Sequence, residues 1–178
     1  VGRAVDKKGY PGLLAALAQI PADLHWRLVH IGDGPQLVDL KRQADRDGIG
    51  DRIVWMGGQP QAMVLEQCRG ADVFVLNSRI SQDGDRDGLP NVLMEAQSQG
   101  VACLSTRVSA IPELIENGVT GTLVPADDVK TLATELHRLI TDPDLRRRQG
   151  EAGMNHVRSH FSLERGIARL VEKFKDET

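Results

Sequence analysis

The segment from Asn77 to Asn91, NSRISQDGDRDGLPN, is long and polar, and it runs directly into VLMEAQSQG. Long loops in compact domains are usually functional or disordered. Gly88 permits a left-handed backbone and close approach of a ligand. Pro90 presets a first helical turn. The amide groups of Leu89, Asn91 and Val92 then face outward at a helix N-terminus, a position that favours anions. Asp87 precedes this turn, and the spacing Asp87-x7-Glu95 puts Glu95 on the second turn of the helix. A carboxylate there can accept hydrogen bonds from the hydroxyls of a ligand. Position on a helix alone favours the plainer alternative, a surface carboxylate beside a simple cap.

Other motifs compete for these residues. Asp83, Asp85, Asp87 and Gly88 match the first half of a calcium loop, but the bidentate Glu should fall at Met94, and Pro90 interrupts the run. Asp83-Gly84-Asp85 and Asp85-Arg86-Asp87 also fit a short D-x-D metal pattern, which is common by chance. Gly32-Asp33-Gly34 begins a dinucleotide fingerprint whose third glycine is replaced by Leu37. No Gly-rich loop is followed by GK[ST], which excludes a P-loop. His156 and His160 share a helix face without a third ligand, so a solvated face is the expected reading. Arg146-Arg147-Arg148 reads the same way. Cys103 sits in a strand pattern with no base beside it, which makes it a poor nucleophile candidate. Arg3 and Lys8 are ordinary surface charges in most contexts; their place after a strand pattern raises their interest.

Short branched apolar runs must position these loops. They lie at Trp26–Ile31, Arg52–Met56, Asp72–Leu76, Val101–Ser105 and Gly121–Val124, and Val1–Ala4 reads as the end of another. Helical patterns fall between them, at Pro11–Ile20, Pro35–Asp47, Gln61–Arg69, Pro90–Gln99, Ile111–Glu116 and Val129–Ile140. This alternation predicts βαβ units and a parallel sheet with helices on both faces. Such sheets bind ligands outside the carboxyl ends of their strands. After Thr141 the pattern is purely helical; Asp142-Pro143 starts it, and Ser162 with Arg165 lacks the Glu of a capping box.

The chain has 178 residues, 40% apolar, 26% charged and 3% aromatic. At roughly 150 residues per domain this is one domain with an appendage. The net charge of −3 excludes a general polyanion binder. The apolar fraction excludes a disordered acidic tail. With 2 Trp, 1 Tyr and 3 Phe, a stacking platform for nucleic acid is not expected. Trp26 and Trp55 fall in strand patterns and read as core. Cys68 and Cys103 read as reduced core thiols in a cytosolic setting. The first residue is Val1 and nothing after it looks like a signal peptide, so the chain is expected to start inside a longer protein.

GLPNVLMEAQSQG, followed by VACLSTRVSAIPELIENGVTGTLVPADD, resembles the C-terminal domain of retaining GT-B glycosyltransferases of family 4. The opening VGRAVDKKG and the strand ADVFVLNS resemble that family too. Among its members the likeness is strongest to exopolysaccharide and colanic-acid-type enzymes. The resemblance implies one half of a GT-B fold. It divides the chain into a Rossmann-like α/β core, 1–141, and C-terminal helices, 142–178, and places an acceptor domain before Val1. The family's E-x7-E becomes Asp87-x7-Glu95 here. By resemblance, Asp87 faces the donor sugar, Glu95 holds the ribose, and the backbone around Gly88, Leu89, Pro90, Asn91 and Val92 holds sugar and diphosphate oxygens through the N–H groups that all but Pro90 carry. Arg3 and Lys8 match the basic pair at the diphosphate. Asp is one methylene shorter than Glu, so a bridging water or an altered sugar preference is implied. The base is expected near Gly32, Gly34, Met56 and Gly57. TRVSAI, Thr106–Ile111, replaces the family's Gly-Gly with Ser109-Ala110, while Glu113 keeps the motif's Glu in a structural role.

The implied partners are a UDP- or GDP-sugar and, through the absent domain, a glycan or lipid-linked acceptor. No metal and no other cofactor is expected. The implied location is cytoplasmic, with peripheral contact of the full-length enzyme at the inner membrane face. Two other classes fit less of the sequence: a nucleotide-sugar epimerase with a similar pocket, and a non-catalytic nucleotide- or metal-binding module.

Overall fold

The computed structural model describes residues 1–161. Five short parallel strands alternate with helices. They are β1 (Leu28–His30), β2 (Ile53–Trp55), β3 (Val73–Leu76), β4 (Ala102–Thr106) and β5 (Thr122–Val124). The helices are α1 (Tyr10–Leu17), α2 (Leu37–Arg46), α3 (Gln61–Arg69), α4 (Asn91–Ser98), α5 (Ile111–Leu114), α6 (Val129–Thr141) and α7 (Pro143–His160). β1 pairs with β2, and β3, β4 and β5 pair in that order, all parallel. The Val1–Ala4 segment, expected as a strand end, forms no assigned strand, although it is hydrogen-bonded alongside the exit of β1. Gly2 N–H donates to the Ile31 carbonyl at 2.8 Å and Ala4 N–H to the Asp33 carbonyl at 2.9 Å.

Side chains of a strand point alternately to opposite faces, and β4 shows the consequence. Ala102 and Leu104 join an apolar cluster with Leu14 of α1, Leu40 of α2 and Leu136 of α6. Val101 and Cys103 join a second cluster with Cys68 of α3, Leu93 of α4 and Leu114 of α5. Every residue of β4 is buried, as its unbroken apolar run requires. At β2 the run is misleading, because Val54 is 41% exposed on an edge strand. Trp26 and Trp55 are half-buried against the first cluster. Both cysteines are free and buried, as expected for core thiols.

α7 packs on α4 and β4, so the first C-terminal helix is part of the core and not an appendage. Asp142 caps it, accepting from Leu145 N–H at 2.8 Å. Its seat depends on glycine. A Cβ on Gly150 would strike the Gly100 carbonyl oxygen and come within 3.0 Å of the carbonyl carbon. Gly150→Ala gains about 1 kcal/mol of helix propensity. Overpacking against a backbone that cannot rotate away costs up to about 3 kcal/mol. A net loss of about 2 kcal/mol is expected in denaturant titration, although alanine is the better helix former.

The expected helical continuation at 162–178, including Ser162 and Arg165, lies outside the described residues. Among the described residues no helix is long and apolar enough to cross a membrane.

Candidate functional site

After Ala4 the chain makes a short 3-10 turn, Asp6–Lys8, which closes at Gly9. Gly9 takes φ 59°, a left-handed conformation that only glycine adopts cheaply. It is also pressed against the exit of β3: a Cβ there would strike the Asn77 carbonyl oxygen. The turn thereby lifts Lys7 and Lys8 toward the loop that follows β3.

The sequence separates Lys8 from Asp87 by most of the chain, yet Lys8 Nζ lies 2.7 Å from Asp87 Oδ2. The two side chains are 12% and 15% exposed, so the pair is poorly screened by water. Lys7 Nζ lies 3.0 Å from Asp85 and 3.7 Å from Asp87. Its hydrogen bond to Asp85 raises the Lys7 ammonium pKa above its ordinary value. Ser78 Oγ stands 3.4 Å from the same Asp87 oxygen. Arg3 is exposed and is not drawn into this cluster. An open cleft beside the turn is lined by Lys7, Pro35, Gln36, Ser81, Asp83 and Asp85.

α4 starts at Asn91, with Pro90 extended at its cap position. Pro90 therefore precedes the first turn and does not form it. The amides of Asn91 and Val92 fall in that turn, where intrahelical acceptors are lacking, while Leu93 N–H returns to the Pro90 carbonyl at 3.0 Å. Gly88 does not use a left-handed backbone, and a Cβ there would meet open space. Its expected conformational role is corrected accordingly: the loop turns without it. Leu89 is half-buried against the second cluster. Glu95 stands on the second turn as expected, and its Oε1 accepts from Gln61 Nε2 at 3.0 Å.

The residues expected near the base form a backbone ladder. Met56 N–H donates to the His30 carbonyl at 2.9 Å, and Gly32 N–H to the Gly57 carbonyl at 2.8 Å. Asp33 accepts from Gly58 N–H at 2.9 Å. The glycines here answer to chain packing: a Cβ on Gly32 would strike the Gly2 carbonyl, and one on Gly34 would lie 2.6 Å from Ala4 N. Ser109 holds φ 50°, a left-handed backbone that a residue other than glycine adopts at some cost in strain. Glu113 is exposed in the first turn of α5.

Asp83 is not a partner in an acidic trio. Its Oδ1 accepts from Asp85 N–H at 3.1 Å, and Asp85 and Asp87 face lysines. Among the described residues no group of three His, Cys, Asp or Glu could hold a metal.

Sequence reasoning missed Lys7, Asn77, Ser78 and Thr106 as parts of the site. The one available signal was a polar Asn-Ser pair directly after an apolar strand.

A parallel α/β sheet with basic and acidic side chains gathered at the carboxyl ends of its strands defines the class: the C-terminal half of a GT-B fold. The chain belongs to the glycosyl transferases group 1 family, whose model matches residues 1–156. It is 37% identical over 137 residues to a putative colanic acid biosynthesis glycosyltransferase, WcaL, of Salmonella typhimurium, covering 76% of this chain and 34% of that protein. It is 31% identical over 174 residues to a GDP-mannose-dependent phosphatidylinositol monomannoside mannosyltransferase of Mycolicibacterium smegmatis, covering 97% and 46%. The crystal structure of Anabaena Alr3699/HepE in complex with UDP superposes with a TM-score of 0.86 at 20% identity, covering 98% of this chain and 47% of that one. The chain thus spans between a third and a half of the length of these proteins.

Proposed function

We propose that this chain is the donor-binding domain of a retaining glycosyltransferase of the family 4 type. The whole enzyme transfers a hexose from a UDP- or GDP-linked donor to a glycan or lipid-linked acceptor, in assembly of a surface polysaccharide. The acceptor site belongs to a domain outside this chain, so the 178-residue chain binds nucleotide without turning over. Residues 1–141 form the donor-binding core, and α7 packs onto it. The enzyme works in the cytoplasm, at the inner face of the membrane.

One observation carries this reading: Lys8 and Asp87 meet at 2.7 Å, beside the start of α4. A departing nucleoside diphosphate develops negative charge, which Lys8, Arg3 and the first-turn amides of α4 are suited to stabilise. Those charges also supply what a divalent metal supplies elsewhere, so no metal is required. Donor binding exchanges Asp87 for phosphate at Lys8 and turns the carboxylate toward the sugar hydroxyls. Glu95 takes the ribose, and the backbone from Gly32 to Gly34 with Met56 and Gly57 borders the base. The named relatives, one for colanic acid and one GDP-mannose-dependent, lend support to the substrate class.

The test is calorimetric titration with UDP, GDP and ADP, with and without EDTA, repeated with Glu95→Ala. Metal-independent binding of one nucleotide is expected, weakened about tenfold in the variant by loss of a charge-assisted hydrogen bond. Binding that requires a divalent ion sinks the metal-free mechanism. For the full-length enzyme, a free altered nucleotide sugar in place of a glycoside would identify an epimerase.

A further inference from the structure

The Lys7–Gly9 turn is tied to the exit of β3 by two hydrogen bonds. The Asn77 side-chain amide donates to the Gly9 carbonyl at 2.8 Å, and Arg79 N–H donates to the Lys7 carbonyl at 2.9 Å. Asn77 is 7% exposed, so its amide has little competition from water. The exit segment is braced in turn from β4. Ser105 Oγ donates to the Leu76 carbonyl at 2.8 Å, and Thr106 Oγ1 to the Ser78 carbonyl at 2.5 Å. A chain of side-chain-to-backbone bonds thus runs from the most buried strand to the lysine turn. Ion pairs also join the turn to the loop after β3: Lys8 to Asp87 is the one that ligand binding exchanges, and Lys7 to Asp85 is more exposed, at 26% and 57%, where surface pairs contribute little.

The Gly9 carbonyl also accepts Leu13 N–H of α1, at 3.2 Å. Removing the Asn77 amide therefore leaves no orphaned carbonyl. What is lost is the placement of the turn, and with it the placement of Lys8.

Resting on the donor-domain reading, we propose that Asn77 is a positioning residue for the diphosphate: it fixes the backbone of Lys8 and acts on the ligand through Lys8 alone. The test is a double-mutant cycle by calorimetry on the 178-residue chain, using whichever of UDP, GDP or ADP the unmodified protein binds. Asn77→Ala is expected to weaken binding about tenfold. The double variant Asn77→Ala/Lys8→Ala is expected to bind no more weakly than Lys8→Ala. Asn77→Ser keeps a donor on a shorter side chain. It is expected to fall between the wild type and Asn77→Ala, and it replaces alanine in the cycle if the alanine variant does not fold. A double variant weaker than Lys8→Ala by the full Asn77 factor overturns the proposal, because Asn77 then acts independently of Lys8. Failure of the unmodified chain to bind any of the three nucleotides overturns the donor-domain reading, and this inference with it.

Discussion

Lys8→Ala is expected to weaken binding of the preferred nucleoside diphosphate about 100-fold, and Asp87→Asn to leave it unchanged or tighten it. The opposite signs follow from the 2.7 Å contact between the two groups. A hydrogen bond to a charged partner is worth about 1.5–3 kcal/mol, and about 1.4 kcal/mol is a factor of ten. The upper end applies here because removing Lys8 also takes away the shortest partner of Asp87, a carboxylate 15% exposed that is then left with only the longer contacts to Lys7 at 3.7 Å and Ser78 at 3.4 Å. Asp87 competes with phosphate for the ammonium, so neutralising it releases Lys8 to the ligand. The donor sugar reverses the sign for Asp87. If the carboxylate holds sugar hydroxyls, Asp87→Asn should weaken the intact nucleotide sugar while sparing the diphosphate. Titrating both ligands against both variants checks this. An equal loss of diphosphate affinity in Asp87→Asn would show that the carboxylate supports phosphate binding instead of competing for Lys8.

Acid is expected to destabilise the fold by about 3 kcal/mol through one side chain, His30. His30 is 2% exposed, neither ring nitrogen makes a well-formed hydrogen bond, and the nearby Gly2 carbonyl offsets only part of the burial. Its ring lies edge-on to Tyr10 at 4.7 Å and 5.3 Å from Trp55. Burial disfavours the imidazolium and pushes the pKa down to about 4 from 6.5. The unfolded chain therefore binds a proton that the folded chain refuses. Stability from this source is complete above pH 6.5, falls as the pH drops, and levels off below about 4. Urea titrations between pH 7 and 4 should show a steeper decline for the wild type than for His30→Leu. The carboxylates titrate in both proteins, so the difference isolates the histidine. Parallel declines would show that the imidazole finds a proton acceptor in the fold.

His30 illustrates what a sequence conceals. At the end of an apolar run it was one of five histidines without a ligand pattern, and nothing nearby announced the aromatic neighbours that bury it. Elements were more legible. The expected helix Gln61–Arg69 has those bounds in the structure, because Pro60 and Gly70 mark its ends in sequence. Strand lengths were overestimated: Trp26–Ile31 shrinks to Leu28–His30, since apolar character continues beyond the ladder. In the site, the helix start at Asn91 and the place of Glu95 follow from local spacing. The cluster of Lys7, Lys8, Asp85 and Asp87 does not, because its two halves come from opposite sides of three intervening strands. Asn77 escaped for the same reason, since its partner is a backbone carbonyl 68 positions away. Gly88 drew attention as a flexible residue, yet the left-handed glycines around this site are Gly9, Gly57 and Gly84.

The two cysteines make the molecule its own reporter of opening. Cys68 sits on α3 in the second apolar cluster, and Cys103 is sealed inside β4. Burial raises the pKa of both thiols, so neither offers thiolate to a reagent while the fold is closed. Alkylation kinetics in low denaturant then time two events without any introduced label. Modification at Cys68 alone marks the release of one helix. Modification at Cys103 requires the central strand to come apart, and with it the brace that holds the lysine turn.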